Sequence, residues 1–160
     1  MMPPLTIALP SDREIAVTRQ FRAPAELVFD CWTIPALIRR WLGFDDWTYV
    51  TCEFDARVGG KWLFVTRSPD GFEMGSGGEV LEITRPGWIK TTELYDQDWT
   101  GGQTIVTNRI TEHSGITTSV VTVLYPTKEA RDGARATPMA EGMEHGFRRL
   151  EDLLASLPAG

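Results

Sequence analysis

The clearest pattern of hydrophobic and polar positions is a helical one near the end of the sequence. Between residues 137 and 157, apolar side chains recur at steps of three and four and form one stripe of an amphipathic helix: Met139, Met143, Phe147, Leu150, Leu154 and Leu157. The charged residues fall outside the stripe, on the face expected to meet water: Glu141, Glu144, His145, Arg148, Arg149, Glu151 and Asp152. We expect Thr137 to cap this helix and Pro138 to be its first residue. Such a helix must bury its stripe on another element.

Earlier in the chain the pattern has the period of two that strands require. The predicted strands are rich in Val, Ile, Thr and Trp and span residues 14–21, 47–53, 60–67, 77–84, 88–94, 103–111 and 117–125. Turns containing Gly or Pro separate the last six, which indicates an antiparallel meander. Shorter helices are predicted at 25–33, 36–42 and 128–135. We expect one α+β domain over residues 1–160, of order β-α-α-β6-α, with residues 1–12 as a loose lead-in.

This order of elements predicts a curved antiparallel sheet of about seven strands around the C-terminal helix, because large sheets twist and curl. A helix laid in the concave face leaves space. The small residues Gly142 and Gly146 on the edge of the apolar stripe either admit close packing or leave room for a cavity. The lining of that cavity would be Trp62, Phe64, Met139, Met143 and Phe147, with Trp41 and Phe44 near an entrance.

Net charge and cysteine content exclude several classes of function. The net charge is −6, and the excess of acidic residues lies between residues 44 and 98. An acidic domain without a basic stripe is a poor partner for nucleic acid or for anionic membranes. The N-terminal residues lack a basic leader, and no stretch approaches the length of a membrane span. We therefore expect a cytoplasmic protein in which Cys31 and Cys52 are reduced, buried thiols.

Residues for catalysis or metal binding are scarce. His145 lies opposite the apolar stripe and His113 lies in a predicted hairpin turn, so neither is placed for a triad. Cys31 and Cys52 lack the spacing and the nearby histidine of a zinc site. Glycine pairs such as Gly59-Gly60 precede strands and not helices, which a phosphate cradle would require. We predict no catalytic constellation, no metal and no cofactor.

Polar residues within the predicted strands are candidates for a ligand anchor. Glu93, and Thr107 or Arg109, would face the cavity in one strand parity and the solvent in the other. An inward Arg109 near an inward Glu93 would pair two charges that are costly to bury singly. The sequence alone does not decide which face of the sheet these residues occupy.

Several motifs resemble the START-like (SRPBCC, birch-pollen-allergen-like) superfamily, and within it the family of homologues of the activator of the 90-kDa heat-shock protein ATPase. The resemblance covers roughly residues 13–157, and its motifs are Phe21-Arg22-Ala23-Pro24, Val28-Phe29, Trp32, Trp41, residues 55–62, Pro69-Asp70-Gly71, residues 78–83, residues 129–132 and 139–143, Arg149-Leu150 and Leu153-Leu154. It implies the helix-grip fold, in which a sheet grips a C-terminal helix over a hydrophobic cavity. Members bind lipids, sterols, polyketides or plant hormones, and some are cyclases. Thr137-Pro138 departs from the usual glycine before the methionine.

Three functions follow as hypotheses. The first is binding of a small, largely apolar ligand between sheet and helix by the lining above, with Glu93 and Arg109 as polar groups. The second is a polyketide-cyclase-like enzyme, which would be marked by a buried side chain of shifted pKa in contact with the cavity. The third is a chaperone-interacting protein, which predicts a filled interior and an exposed patch. A homodimer is compatible with all three.

Overall fold

The computed structural model describes residues 1–158, in which one open sheet of eight antiparallel strands packs against four helices. The strands are β1 (Thr6–Ala8), β2 (Glu14–Phe21), β3 (Thr48–Phe54), β4 (Lys61–Arg67), β5 (Glu73–Thr84), β6 (Trp88–Tyr95), β7 (Thr104–His113) and β8 (Ile116–Leu124). The helices are α1 (Ala25–Thr33), α2 (Pro35–Ile38), α3 (Lys128–Arg135) and α4 (Met139–Ser156). The strand order β1-β2-β8-β7-β6-β5-β4-β3 confirms the predicted α+β fold, a curved sheet with a C-terminal helix.

All seven predicted strands form, and one further strand adds to them. The segment expected as a loose lead-in contains β1, which pairs with β2 through Ile7 opposite Val17. The expectation of a wholly loose lead-in is therefore wrong. A strand of three residues is too short to show a period of two. The second predicted helix is also shorter than expected, since α2 ends at Ile38 and irregular turns follow.

The start of α4 differs from the prediction in its cap. The Thr137 hydroxyl donates a hydrogen bond of 2.6 Å to the carbonyl of Ala134, so it closes the end of α3. Pro138 precedes the first residue of α4 and provides no side-chain cap. The reason is that only residues 136–138 separate α3 from α4, and the Thr137 hydroxyl bonds to the first of these helices. Thr127 caps α3 by accepting from the amide of Ala130.

The hydrophobic core lies at one end of the concave face of the sheet. Inward side chains of β2 meet α1 and the later turns of α4 there, and they are almost fully buried: Ile15, Val17, Phe21, Val28, Phe147 and Leu150. We call this set the closed half. Phe21 and Phe147 meet edge to face at 5.8 Å between ring centroids, and Trp32 meets Trp41 at 4.8 Å. These contacts fill the space between sheet and helix at this end.

A buried arginine ties the sheet to α4. Arg19 follows Val17 on the inner face of β2, and its side chain has no exposed surface. It forms ion pairs with Glu144 at 2.9 Å and Glu151 at 2.8 Å. The amide of Leu5 also donates to Glu144, which joins the N-terminal segment to the same cluster. The prediction that Glu144 and Glu151 face only water is therefore wrong.

Two irregularities interrupt the strand ladders. In the pairing of β3 with β4, the register shifts between Tyr49 and Thr51, which leaves Val50 in a bulge. In the pairing of β5 with β6, it shifts between Val80 and Glu82. Bulges bend a strand and re-aim its side chains. No helix within residues 1–158 is long and apolar enough to cross a membrane.

Candidate functional site

The inner face of β3 to β6 forms the second part of the concave surface, and it is not filled. Strand register places Phe64, Ser76 and Tyr95 in one row across β4, β5 and β6. Tyr49 of β3 is in contact with this row, because its ring centroid lies 6.2 Å from that of Phe64. All four face inward and are only half-buried. Together with Glu93, we call this set the open half.

Glu93 is the acidic group of the open half. It lies two residues before Tyr95 on the same face of β6 and opposite the fully buried Thr104 of β7. Among residues 1–158, no side chain or amide pairs with its carboxyl group, and burial raises the pKa of Glu93 from 4.5 to about 7. A carboxyl group with this pKa exchanges its proton near neutral pH.

Arg109 does not join Glu93. Because Glu93 faces Thr104 in the ladder, the inward residues of β7 are the even-numbered ones, and Asn108 is buried among them. Arg109 lies on the outer face, exposed, with its guanidinium 4.6 Å from the centre of the Trp88 ring. The predicted Glu93–Arg109 pair therefore does not form. Thr107 shares the outward parity.

Two tyrosine hydroxyl groups, those of Tyr95 and Tyr125, interact with Glu93, and a third, that of Tyr49, belongs to the open half. Burial, with a smaller contribution from the Glu93 carboxylate, raises the pKa of Tyr125 to about 12. The same two causes raise the pKa of Tyr95 further, and burial also raises the pKa of Tyr49. These phenols stay protonated at any physiological pH. Their hydroxyl groups can donate hydrogen bonds near Glu93, whose carboxyl group has no hydrogen-bond partner among residues 1–158.

The predicted aromatic lining divides between the two halves. Trp62 is buried, and its indole N–H donates to the carbonyl of Thr92 at 3.0 Å, beside Glu93 in the chain. Phe64 lies 4.8 Å from Trp62 between ring centroids and remains half-buried. Trp41 and Phe147, in contrast, stack on each other at 6.2 Å within the closed half. Their rings fill space that a ligand would need.

The two glycines of α4 have different surroundings. A Cβ added at Gly146 would lie 3.6 Å from the carbonyl oxygen of Trp41, which is ordinary contact. A Cβ added at Gly142 would have no atom of residues 1–158 within 4 Å. Gly146 is thus a close-packing residue, and Gly142 borders open space. Met139 and Met143, in the same first turns of α4, are half-buried.

A groove of about 500 Å³ lies beside Tyr49 of the open half. It is lined by the segment between α2 and β3, by Tyr49 and by Arg149 of α4: Arg39, Arg40, Trp41, Leu42, Phe44, Asp45, Asp46, Trp47, Tyr49 and Arg149. Arg149 holds the segment in place by donating to the carbonyls of Trp41 and Gly43 and by pairing with Asp45. Phe44, predicted near an entrance, is 53% exposed.

Exposed aromatic rings border the groove. Trp47 contacts Phe44 at 5.1 Å and Phe72 of the β4–β5 hairpin at 6.2 Å, measured between ring centroids. A further groove of about 500 Å³ lies along the outer end of β3, near Cys52 and Lys61, and contains none of the predicted lining residues. Tyr49 lines the first groove and also contacts Phe64, so that groove adjoins the open half.

Residues 22–155 match the family described as activator of Hsp90 ATPase homolog 1-like protein. The chain belongs to this family. A protein from Rhodobacter sphaeroides of known structure is 34% identical, and the match covers 97% of this chain and 100% of that chain with a TM-score of 0.93. A Staphylococcus epidermidis protein is 26% identical over 97% of each chain, with a TM-score of 0.82. No curated protein matches the sequence.

Membership of this family confirms the resemblance seen in the motifs, but it assigns no ligand. A Silicibacter pomeroyi protein described as AHSA1 shares the fold, with a TM-score of 0.72 at 20% identity and coverage of 89% of this chain and 97% of that one. Within the family fold, sequence reasoning missed Tyr49, Ser76, Tyr95 and Tyr125. The spacing of Tyr95 two residues after Glu93 was the available indication, since both must share a face.

Proposed function

We propose that the protein binds a small, largely apolar ligand between the open half of the sheet and the first turns of α4. The observation that carries this proposal is the contrast in burial on one concave face. Inward residues of β2 are fully buried, whereas the inward Phe64, Ser76 and Tyr95 keep accessible surface. An inward surface with apolar rings that residues 1–158 cover only in part is what a ligand pocket presents.

The composition of the open half supports a ligand with one polar end. Phe64, Met139 and Met143 provide apolar surface, and burial of ligand area on it contributes about 25 cal/mol per Å². Glu93 and the Tyr95 hydroxyl provide the polar groups. Recognition would therefore combine apolar burial along the ligand with hydrogen bonds at one end.

Native mass spectrometry of the purified chain, before and after denaturation, tests the proposal directly. We expect an added mass that is lost on denaturation. Gly142→Trp places a large ring in the open space beside α4, so the added mass should disappear while the protein stays folded. The matched control is Gly133→Trp in α3, where a Cβ likewise meets no atom of the described residues but the open half is not nearby. If Gly142→Trp and Gly133→Trp carry the same ligand, the proposed location is wrong.

Glu93 also supports a second candidate function, a cyclase-like enzyme. A half-buried carboxyl group with a pKa of about 7 suits general acid–base catalysis at neutral pH. Cyclisation of a polyketone needs proton transfers at carbonyl groups, which such an acid can carry out. The test compares the small molecules bound to the wild type and to Glu93→Gln. An enzyme would carry product in the first and unreacted substrate in the second, whereas identical molecules in both would contradict catalysis by Glu93.

A chaperone-binding role has less support. It predicts a filled interior, and the half-buried residues of the open half do not fit that expectation. The exposed rings of Phe44 and Phe72 have another explanation as the border of the groove.

A further inference from the structure

We propose that the ligand carries a positively charged nitrogen at its polar end and that this cation pairs with Glu93 among the aromatic rings of the open half. This inference rests on the proposed ligand-binding function and names the chemical class of the ligand. Its basis is that Glu93 has no partner of opposite charge within residues 1–158, whereas Arg19, also on the inner face, pairs with Glu144 and Glu151.

Residues 1–158 provide no counter-charge for Glu93. Within the described chain, its inner-face neighbours are Thr104 across β7 and Tyr95 along β6, and the Thr104 hydroxyl is already directed to the backbone carbonyl of Glu93. The ionisable groups close enough to interact with it are Tyr95 and Tyr125, which are neutral. A carboxylate withdrawn from water is costly unless it is paired. A cation on the ligand would complete the pair.

Aromatic rings flank the same position. Trp62 reaches the carbonyl of Thr92, the residue before Glu93, and Tyr95 follows two residues after it. Tyr95 in turn meets Trp99 at 5.4 Å between ring centroids. Faces of Trp and Tyr rings attract organic ammonium groups, more strongly when these are removed from water. An acid beside several rings is a suitable site for an alkylammonium group and an unfavourable one for a carboxylate.

The nearest arginines do not compete for this role. Arg149 is engaged by Asp45 and two backbone carbonyls. Arg39 lines the groove beside Tyr49, where its charge partly offsets the rise that burial causes in the pKa of Tyr49 and of Cys52. Arg19 is held by Glu144 and Glu151 in the closed half. Glu93 is therefore the buried charge on the inner face that is left for a ligand.

Three probes with the same tail separate the head group from the cavity. Octylammonium, 1-octanol and octanoate are titrated into the full chain by isothermal calorimetry at pH 8. We expect octylammonium to bind about 10- to 100-fold more tightly than octanol, the range for a hydrogen-bonded charge, and octanoate to bind most weakly. The advantage should shrink as the pH is lowered to 5.5, because Glu93 takes up a proton while the alkylamine stays charged.

Substitutions assign the effect to Glu93. Glu93→Gln keeps the shape of the side chain but not its charge, and it should remove the advantage of octylammonium over octanol. Glu79→Gln is the matched control, because Glu79 pairs with Lys61 on the outer face of the sheet. It should leave all three affinities unchanged. If Glu93→Gln does not fold, the pH series of the wild type carries the test.

The outcomes distinguish the two proposals. Equal binding of octanol and octylammonium, or tightest binding of octanoate, overturns the cationic ligand and leaves the cavity intact. An advantage of octylammonium that survives in Glu93→Gln overturns the assignment to this residue. If none of the three probes binds, both the cationic ligand and the proposed binding function fail.

Discussion

The closed and open halves of the same concave face differ in what covers them. Over the closed half, α1 and the later turns of α4 press Phe21, Phe147 and Trp41 together. The first turns of α4 contain Met139, Gly142 and Met143. The two methionines are half-buried against the core, and the glycine leaves space. In the function proposed above, α4 serves as a core element along its second part and as the wall of a ligand pocket along its first. That function assigns stability and ligand binding to separate regions.

Arg19 and Glu93, two charged residues on the inner face of the sheet, follow the same division. Burial alone would lower the pKa of Arg19, but the hydrogen bonds that it donates to Glu144 and Glu151 raise it. Burial would likewise raise the pKa of Glu144, but the hydrogen bonds from Arg19 and Leu5 lower it. Glu93 experiences burial without such compensation. A charge that is fully paired stabilises the fold, and one that is unpaired lowers stability and favours a ligand.

The largest difference between the halves is expected for aromatic truncation. Phe147→Ala removes a ring that is 2% exposed and should lower the free energy of unfolding by about 4 kcal/mol. Phe64→Ala should cost only about 1 to 2 kcal/mol, because the half-buried ring gives up less burial. Urea denaturation of both variants measures this. Equal losses would show that the open half is packed as tightly as the closed half.

Breaking the paired charge should have the next largest effect. Arg19→Met leaves Glu151 without a cation and Glu144 with Arg148 alone, and it should cost about 3 kcal/mol, at the lower end of the range for a buried pair. The control is Arg57→Met, which breaks an exposed pair with Asp55 and should cost less than about 1 kcal/mol. Urea midpoints that shift equally in the two variants would contradict a special role of Arg19.

Glu93→Gln should stabilise the protein in a pH-dependent way. Because folding raises the pKa of Glu93 from 4.5 to about 7, the folded state disfavours ionisation, and the wild type loses stability as the pH rises through this interval. The variant avoids this loss, by about 2 kcal/mol above pH 7 and by nothing below pH 4.5. Thermal unfolding at pH 4 and pH 8 measures the difference. A stabilisation that is equal at both values would contradict a burial effect.

The smallest predicted effect is at Gly142. Gly142→Ala should raise stability by about 0.5 to 1 kcal/mol, since alanine favours a helix and its methyl group enters open space. Gly60→Ala is the control of opposite sign, because its Cβ would lie 2.1 Å from the carbonyl oxygen of Asp55. Destabilisation by Gly142→Ala would mean that the space beside α4 is occupied.

Hydrophobic periodicity predicted most of the fold, because the spacing of apolar residues in strands and amphipathic helices indicates which face is buried. The placement of Ile15, Val17 and Arg19 on one side of β2 follows from a period of two, and the structure has it. The parity of Glu93 relative to Arg109 depends on the register of β6 with β7. The loop of 96–103 sets that register, and no local pattern reports it.

The difference between the closed and open halves was harder still to predict from the sequence. It depends on where each turn of α4 lies over the sheet, which is a tertiary property. Gly142 and Gly146 are equivalent in the sequence, and only the position of Trp41 in space separates them. For the same reason Glu144 and Glu151 read as water-facing residues, although Arg19 of β2 reaches them.

The bulge at Val50 matters for encounters between copies of the molecule. An open sheet has two outer strands with unpaired backbone groups, and such edges promote aggregation when they are long and regular. Here β1 offers three residues, and β3 is bent in its first half by the bulge. Neither edge provides a straight template for another strand. We expect the protein to resist fibril-like association at high concentration, even though its sheet is not closed into a barrel.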